Sequence, residues 1–487
     1  MTTYEFSAVA LDLGTTSVKG GLLDQHGELG NLIVRHAPKI DVDSGHYESD
    51  ALAYAETAEL VLDECIAKAG DCRALGLCSQ RSSFLIWDKA TGQPLTPLIS
   101  WQDNRGSASC DALIEHEKLI RNLAGLPLTP YYFAPKLRVV LQDNPGWQER
   151  LELGNLLAGT LDTFLIWRWS GGKKFVTDVS MAARTLLMDI RQLQWSPQLC
   201  GLFGIPPGIL PEIMPSAGMN IRVMRPPDMR PGYQKTVTKS LVMDNGLILQ
   251  ASLGDQSAAL FASVSENRPE ALVNLGTGCF VVRYLPDGIS ALNGYLKTLV
   301  YQDRAQHVHF AIEGTLNSIA AALAPYPVKD CRIEDLARDD IFCVAESSGL
   351  GAPYFRSDIG IRFSLSVDHL KQYQIAVLLL EAVIFRVARI LEEFHSEHAI
   401  ERVYLSGGLS ALPSLQLGIA RCVPFEVFRL QQSESSLQGS ALLAAGMSCH
   451  RNVTRIDTAG NAMALRDKYR RWKGWLDELL AQQKSAT

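Results

Sequence analysis

The chain has 487 residues, more than a single hydrophobic core usually supports, so we expect two large domains. Its 46 basic and 52 acidic residues give a formal charge of −6, and 47% of the residues are hydrophobic, a composition typical of a soluble globular protein. The chain has no sustained run of lysine and arginine, and we expect no nucleic-acid partner.

The amino terminus and the cysteines indicate the compartment. The opening residues MTTYEFSAVALDLG lack the basic and apolar regions of a secretory signal, and charged residues interrupt the longest apolar stretches. The ten cysteines are scattered, with no CxxC pair and no histidine spaced from them as in a cysteine-histidine zinc site, which is typical of reduced thiols. We therefore expect a cytoplasmic protein without a membrane partner.

The first elements of the chain predict an α/β domain that begins with a β-hairpin. The segment SAVALDLGTTSVKGGLLDQHGE indicates a strand, a Gly-Thr-Thr turn, a second strand over residues 18–23, and a turn at 25–27. Apolar residues at helical spacing follow over 51–70, and the short apolar run ALGLCSQ then indicates a buried strand.

A segment rich in proline and glycine over residues 205–250 predicts loops, and we place the domain junction just after it. The predicted lobes are residues 1–250 and 251–487. The segment ALVNLGTGCFVVRYL in the second lobe repeats the order of strand, glycine-threonine turn and strand seen at the start of the chain. This similarity predicts two related lobes, each with one phosphate-binding hairpin.

The two glycine-threonine turns are the first candidates for chemistry. Backbone N–H groups and hydroxyls in such turns can face phosphate oxygens, and a carboxylate at the end of the strand, Asp12, can hold Mg²⁺ through water. The alternative is a structural turn whose threonines bond their own backbone. The first turn contains Gly14, Thr15, Thr16 and Ser17, and the second contains Gly276, Thr277 and Gly278.

Asp255 is the candidate catalytic base. It lies where a strand should meet a helix, and a carboxylate there could accept the proton of an alcohol that attacks a γ-phosphoryl group. The alternative is a helix N-cap for the following SAALFA segment, and spacing alone favours the cap. The two roles are compatible.

Ten short motifs follow one another over nearly the whole chain: LDLGTTSVKG, QRSSFLIWDKATGQPL, ISWQDNR, GTLDTFLIW, VTDVSMAARTLL, GDQSAALF, NLGTGCF, EGT, GLGAPYF and LSGG. In this order they resemble the FGGY family of carbohydrate kinases. The resemblance implies an α/β fold of two actin-like (ribonuclease H-like) lobes around a central cleft. It also implies an enzyme that uses ATP and Mg²⁺ to phosphorylate a terminal hydroxyl of a small sugar, ketose or polyol. Family members commonly form dimers or tetramers, so a homodimer is among the expected assemblies.

When the motifs are matched position by position, the resemblance implies a role for individual residues of this chain. Asp255 matches the catalytic base, and the N-terminal strand's Asp12 matches the acidic residue near Mg²⁺. The nucleotide-binding positions are Gly14, Thr15, Thr16, Ser17, Lys19, Gly276, Thr277, Gly278, Gly407 and Gly408. The acceptor-binding positions are Arg81, Ser82, Trp101, Asp103, Tyr131 and Gln256.

The sequence departs from the glycerol-specific members of the family at several of these positions. Ser82 replaces a glutamate that accepts hydroxyls of glycerol, so we expect an acceptor other than glycerol. Lys19 replaces an arginine, which keeps the charge but loses the planar fork. Leu412 and Ala320 depart on the nucleotide side and favour an alternative, a catalytically weak nucleotide- or sugar-binding protein on the same scaffold.

Overall fold

The computed structural model describes residues 6–224, 246–289, 292, 294–432, 434–458 and 462–482. The strands are β1 (Phe6–Leu13), β2 (Ser17–Asp24), β3 (Leu29–His36), β4 (Asp41–Asp43), β5 (His46–Ser49), β6 (Ala74–Ser79), β7 (Phe84–Asp88), β8 (Leu98–Ile99), β9 (Leu156–Thr160), β10 (Val176–Asp178), β11 (Met188–Asp189), β12 (Gln194–Trp195), β13 (Glu212–Met214), β14 (Ala217–Arg222), β15 (Ile248–Gly254), β16 (Glu270–Leu275), β17 (Cys279–Leu285), β18 (Leu296–Gln302), β19 (Val308–Leu316), β20 (Cys343–Val344), β21 (Arg362–Phe363), β22 (Arg402–Ser406), β23 (Glu426–Leu430) and β24 (Val453–Arg455). The helices are α1 (Ala51–Ile66), α2 (Ser107–Ala112), α3 (Glu117–Ala124), α4 (Phe133–Asp143), α5 (Gln148–Glu152), α6 (Leu161–Trp169), α7 (Val179–Ala182), α8 (Pro197–Phe203), α9 (Asp255–Ser263), α10 (Ile319–Leu323), α11 (Gln372–Glu397), α12 (Pro413–Cys422), α13 (Ser435–Ala445) and α14 (Met463–Gln482).

The chain forms two compact units, and each is assembled from three segments. The first contains Met1–Ala262, Thr298–Phe310 and Glu434–His450, and the second contains Ser263–Lys297, Ala311–Ser433 and Arg451–Thr487. This division differs from the predicted boundary between residues 250 and 251, because α9 up to Ala262 and the later helix α13 belong to the first unit. Asp255, which we predicted in the C-terminal lobe, therefore lies in the first unit.

The predicted loop region over residues 205–250 lies partly outside the described residues. Its described part is not purely loop, since it contains β13, β14 and the start of β15. β14 continues the sheet of the first unit as an antiparallel neighbour of β15. The alternation of buried and exposed residues along β14 follows from its position at the sheet edge, with one face on the core.

Two central sheets share one strand order. In the first, β1 and β2 form an antiparallel hairpin extended by β3, and β6 and β15 follow in parallel on the other side of β1. In the second, β16 and β17 form the antiparallel hairpin, with β19 beside β17, and β22 and β23 follow in parallel on the other side of β16. This common order supports the predicted relation between the halves of the chain.

Helix α13 packs closely on the central sheet of the first unit. A Cβ added to Gly76 on β6 would lie 2.1 Å from the carbonyl oxygen of Ser440. A Cβ added to Gly439 on α13 would lie 1.9 Å from the carbonyl oxygen of Ala258 on α9. Glycine is therefore required at both positions, and α13 supports β6 and α9 together.

The core of the second unit surrounds α11, which is buried on most of its surface. Two charged residues of this helix are buried in ion pairs. The Nε atom of Arg386 lies 2.8 Å from Oε1 of Glu346, and the Nζ atom of Lys468 lies 2.6 Å from Oε2 of Glu381. Burial raises the pKa of Glu381 to about 7, with Lys468 opposing the shift. Among the described residues, no helix is both long and apolar enough to cross a membrane.

Candidate functional site

The site in the first unit lies at the carboxyl ends of three parallel strands. Asp12 on β1 is in register with Cys78 on β6, and Cys78 is in register with Leu253 on β15. The side chains that follow β6 and β15, including Arg81 and Asp255, therefore emerge at the edge where Asp12 lies. Open α/β sheets commonly bind ligands at this edge.

Asp255 is the first residue of α9, and its carboxylate contacts a backbone N–H and an arginine side chain. The Oδ1 atom accepts the Gln256 N–H at 2.7 Å and lies 3.5 Å from Nε of Arg81. Burial raises the pKa of the carboxyl, while the positive charges of Arg81 and Arg184 and the Gln256 N–H oppose that shift. The side chain keeps 36% of its surface exposed. Asp255 thus lies inside the first turn of α9, where its carboxylate accepts the N–H of the next residue, and it also presents a carboxylate to solvent.

Asp12 is buried, and one of its two carboxylate oxygens accepts a hydrogen bond. Its Oδ2 atom accepts a hydrogen bond from Oγ of Ser436 at 2.8 Å, whereas Oδ1 has no hydrogen-bond partner among the described residues. Burial raises the pKa of Asp12 to about 6; the Ser436 hydroxyl lowers it and the negative charge of Asp255 raises it. A buried carboxylate oxygen without a donor fits a cation site, because oxygen ligands are those that Mg²⁺ prefers.

The first glycine-threonine turn joins β1 to β2. The Gly14 N–H donates to the Ser17 carbonyl at 3.1 Å, and Oη of Tyr54 donates to the Gly14 carbonyl at 2.6 Å. Thr16 at the tip is exposed. Lys19, on the strand after the turn, is paired with Glu434, whose Oε2 atom lies 2.5 Å from the lysine Nζ.

Thr15 connects this turn to Trp101. Nε1 of Trp101 donates to Oγ1 of Thr15 at 2.9 Å, and Oγ1 of Thr15 donates to Oε1 of Gln80 at 3.2 Å. Oγ of Ser83 donates to the same Gln80 oxygen at 2.9 Å and accepts the backbone N–H of Trp101 at 3.0 Å. The predicted phosphate turn and the predicted acceptor residue therefore belong to one hydrogen-bond network.

The aromatic residues predicted at the acceptor position lie together. The rings of Trp101 and Tyr131 are 5.5 Å apart, and Tyr131 packs edge-on against Tyr132 at 5.1 Å. Trp101 and Tyr131 are both partly exposed. They form an apolar wall that could contact the carbon skeleton of a sugar or polyol.

Asp103 and Ser82, also predicted to bind the acceptor, are buried in internal contacts. Asp103 accepts the Tyr47 N–H at 2.8 Å and binds Nε of Arg105 at 2.8 Å. Burial would raise the pKa of Asp103, but these donors hold it below its usual value. Oγ of Ser82 donates to the Arg184 carbonyl at 3.1 Å. Both side chains are therefore buried and engaged in contacts within the first unit.

A buried lysine joins the two segments that carry the acceptor residues. Nζ of Lys136 donates to the Ser82 carbonyl at 3.0 Å and to the Ser100 carbonyl at 2.8 Å. Burial lowers its pKa to about 7, with the negative charge of Asp103 opposing the shift. Lys136 therefore fixes Arg81 and Trp101, which are the sequence neighbours of these two carbonyls.

A second buried network holds the start of α9. Asp178 caps α7 by accepting the N–H groups of Ser180 and Met181, each at 2.9 Å. Oγ of Ser180 donates to Asp178 at 3.1 Å and accepts the Gly254 N–H at 2.9 Å. The residue before Asp255 is thus fixed by a chain of hydrogen bonds that begins at a buried carboxylate.

The predicted nucleotide residues of the second unit also lie at the carboxyl ends of parallel strands. Asn274 on β16 is in register with Ser406 on β22, and the two glycine turns follow these residues. Gly407 has φ +85°, and an added Cβ would lie 2.4 Å from the Leu275 carbonyl oxygen. Thr277 is exposed at the tip of its turn, and Gly408 has open space where a side chain would be.

Ala320 and Leu412 are the two residues that depart from the family pattern on the nucleotide side, and they lie in different parts of the second unit. The Ala320 N–H donates to the Thr277 carbonyl at 3.0 Å, so its backbone supports the second turn. Leu412 is 9% exposed and ends the 3-10 turn Gly408–Ala411. Neither position disturbs the backbone of the glycine turns.

The structure thus brings Asp12, Asp255, Arg81, the first turn and the aromatic wall together in one unit. Sequence reasoning missed the residues that position them: Gln80, Ser83, Lys136, Asp178 and Arg184. Gln80 and Ser83 belong with Arg81 to the motif QRSS, and this shared motif could have identified them as positioning residues. Asp178 and Arg184 lie in the motif VTDVSMAARTLL, which was a second signal. Lys136 lies outside the quoted motifs, and its partners are distant in sequence.

Comparison with known proteins gives the family. The model of the N-terminal domain of the FGGY family of carbohydrate kinases matches residues 7–261, and the model of its C-terminal domain matches residues 254–448. Glycerol kinase 1 of Streptomyces avermitilis is 30% identical, over 97% of this chain and 93% of the relative.

Solved structures give the same fold. Plasmodium falciparum glycerol kinase with ADP superimposes with a TM-score of 0.81 at 22% identity, covering 97% of each chain. Xylulose kinase from Rhodospirillum rubrum superimposes with a TM-score of 0.78 at 18% identity, covering 97% of this chain and 98% of the other. The two-unit actin-like fold predicted from the motifs is confirmed.

The comparisons give no support to the expectation that the acceptor differs from glycerol. The similar curated proteins include glycerol kinases at 30% identity. The substitution at Ser82 therefore leaves the acceptor undecided between glycerol and other small polyols or sugars.

Proposed function

Since the chain belongs to the FGGY family of carbohydrate kinases, we propose that it transfers the γ-phosphoryl group of ATP to a terminal hydroxyl of a small sugar or polyol. The observation that carries the proposal is the partly exposed carboxylate of Asp255 beside Arg81, at the edge where Asp12 also lies. A base, a cation ligand and a guanidinium in one place suit phosphoryl transfer to an alcohol.

Asp255 acts as the general base in this proposal. A base must be ionised before the reaction and must accept the proton that the hydroxyl releases as it attacks. Burial raises the pKa of Asp255, which strengthens the base, while the positive charges of Arg81 and Arg184 favour the ionised form. The hydrogen bond from the Gln256 N–H fixes the orientation of the carboxylate.

Asp12 holds the cation in this proposal. Bound Mg²⁺ neutralises charge on the phosphoryl group that is transferred. The unpartnered Oδ1 of Asp12 is available to hold it directly or through water, and Ser436 fixes the other oxygen. A cation there would also favour the ionised form of Asp12.

The glycine turns bind phosphate in this proposal. Their small residues let phosphate oxygens approach backbone N–H groups, and the exposed Thr16 and Thr277 add hydroxyl donors. Gly407 and Gly408 lie beside the second turn and leave space for the nucleotide. Lys19 contributes positive charge near the first turn, although Glu434 neutralises part of it.

The acceptor binds against Trp101 and Tyr131. The aromatic wall contacts the carbon skeleton, while Arg81 and Gln256 bind hydroxyl, carbonyl or carboxylate oxygens. Ser82 donates to an internal carbonyl and Arg81 is almost fully buried, so Gln256 and the edge of the Arg81 guanidinium are the polar groups available to the acceptor. This composition accommodates a polyol, a ketose or a sugar acid.

A screen of acceptors tests the proposal. ADP release would be coupled to NADH oxidation, with MgATP and one acceptor at a time from a panel of glycerol, longer polyols, ketoses and sugar acids. We expect at least one acceptor to stimulate ADP release in a Mg²⁺-dependent manner. If no acceptor does so, and titration calorimetry detects no binding of MgATP, the alternative of a degenerate binding protein replaces the proposal.

A further inference from the structure

A tight hairpin turn between β18 and β19 brings one carboxylate and two imidazoles together. The Asp303 N–H donates to the His307 carbonyl at 3.0 Å, and the Gln306 N–H donates to the Asp303 carbonyl at 3.1 Å. His307 and His309 are separated by one residue where the chain enters β19, so their side chains leave the same side of the strand. The whole turn belongs to the first unit.

The distances among the three side chains suit a metal ion. One ligand atom from each of Asp303, His307 and His309 lies within 4.8 Å of the other two. Nε2 of His309 and Oδ2 of Asp303 are 3.4 Å apart, which is long for a hydrogen bond. Two ligands about 2.05 Å from a tetrahedral Zn²⁺ are separated by roughly 3.3 Å, so this pair already has the spacing of a coordination edge.

Neighbouring contacts orient the three ligands. The His307 N–H donates to Oδ1 of Asp303 at 2.9 Å, which directs Oδ2 towards His309. The His309 ring stacks on Tyr301 with centroids 4.2 Å apart, and the His307 ring lies 4.7 Å from the His309 ring. Such outer contacts fix ligand orientation in known metal sites.

The charges and the access also suit a cation. Arg304, the basic residue of the turn, donates through Nη2 to the Ala444 carbonyl at 3.1 Å, which places its charge at the end of α13. His307 is exposed and the Asp303 side chain is 32% exposed, so an ion can reach the ligands from solvent.

We propose that Asp303, His307 and His309 form a binding site for a divalent transition-metal ion of the Zn²⁺ class, with water in the remaining position. Two imidazoles and one carboxylate favour such an ion over Mg²⁺, which prefers oxygen ligands. The site is separate from the residues assigned to phosphoryl transfer, and the proposal does not depend on that function. A bound ion would fasten the two sides of the hairpin together and stabilise the folded chain.

Zinc titration tests this site in the full chain without an affinity tag. Calorimetry with ZnCl₂ at about pH 7.5, without nucleotide, should detect a site in the wild type that is lost in the double variant His307→Ala/His309→Phe. Phenylalanine keeps a ring against Tyr301 and removes the nitrogen ligands. The control His369→Ala, at an exposed histidine of the second unit, should bind as the wild type does.

Two further variants separate loss of the site from damage to the hairpin. Asp303→Asn keeps an oxygen for the His307 N–H but loses the charge, and it should weaken zinc binding at least about tenfold. His307→Ala alone, at an exposed side chain, should weaken it to a similar extent. Thermal unfolding of the apo proteins reports whether each variant is folded.

The difference between wild type and variants is decisive because the ten cysteines also offer zinc ligands. Equal zinc binding by the wild type and the double variant would overturn the proposal, as would no zinc binding by the wild type. Zinc should also raise the melting temperature of the wild type and of His369→Ala more than that of the folded His307→Ala variant. Equal shifts in all three proteins would count against the site.

Discussion

The Nε atom of Arg81 lies 3.5 Å from the Oδ1 atom of Asp255, and Arg81 is almost fully buried while the carboxylate is partly exposed. The buried cation faces the carboxylate from the protein side and leaves the other side open to an acceptor. This pair sets the proton affinity of the proposed base, because burial raises the pKa of Asp255 and the Arg81 charge lowers it.

Removal of the Arg81 charge should shift the pH dependence of catalysis. The base must be ionised, so kcat/KM should rise with pH through the pKa of Asp255. Arg81→Met should raise that pKa further and shift the acid limb of the kcat/KM profile to higher pH by about one unit. Arg81→Lys should give a smaller shift. An acid limb at the same pH in all three proteins would refute the electrostatic role of this pair.

Asp12→Asn should abolish activity and stabilise the protein without Mg²⁺. The pKa of Asp12 is raised from 3.8 to about 6, so the native state loses stability as pH rises from about 4 through 6 and this carboxyl ionises. The variant has no carboxyl group to ionise at this position. Its free energy of unfolding at pH 7 should therefore exceed that of the wild type by an amount on the order of 1–3 kcal/mol. Turnover should fall at least about 100-fold.

The pH profile of the melting temperature checks this explanation. The gap between Asp12→Asn and wild type should open between about pH 4 and 6 and stay constant above pH 7. Asp41→Asn, at a side chain that is 84% exposed, is the control and should leave both quantities unchanged. A gap that does not vary with pH would mean that ionisation of Asp12 is not its cause.

Lys136→Met should weaken acceptor binding without a matching effect on ATP. The ammonium group holds the carbonyls beside Arg81 and Trp101, and methionine fills a similar volume without donating to them. The KM for the acceptor should rise about tenfold while the KM for ATP changes little. Lys118→Met, at an exposed lysine, is the control. Equal increases in both KM values would indicate a general loss of structure instead.

Gly439→Ala should destabilise the first unit strongly. The new Cβ would lie 1.9 Å from the Ala258 carbonyl oxygen, a backbone atom of the helix that begins at Asp255. Overpacking against backbone should cost about 1–3 kcal/mol or more, seen as a lower denaturation midpoint. Gly201→Ala is the matched control, since nothing lies within 4 Å of its added Cβ. A variant as stable as wild type would contradict the close packing of α13.

Local patterns were sufficient to predict the two glycine-threonine hairpins and the first helix. The Gly-Thr-Thr segment predicted the turn between β1 and β2, and helical spacing predicted α1, because turn chemistry and periodicity act over a few residues. The Trp101–Thr15 hydrogen bond spans 86 residues, and the Ser436–Asp12 bond spans 424. No local pattern encodes such pairs. They follow only once the parallel strands bring the segments to one sheet edge.

The assembly of each unit from separate segments also depends on contacts between residues that are distant in sequence. The sequence places α13 far from β6, and nothing in its local pattern names the strand against which it packs. The fit of Gly76 against Ser440 and of Gly439 against Ala258 supplies that partner. The boundary between residues 250 and 251 was chosen from composition, which carries no information about which core a later helix joins.

The most direct test of the account is the Asp255→Asn variant. Asparagine keeps an oxygen for the Gln256 N–H, so the start of α9 should be preserved while the base is lost. Acceptor-dependent ADP release should fall at least about 1000-fold, and calorimetry should give an affinity for MgATP close to that of the wild type. Near-normal turnover by this variant would contradict the assignment of Asp255 as the catalytic base.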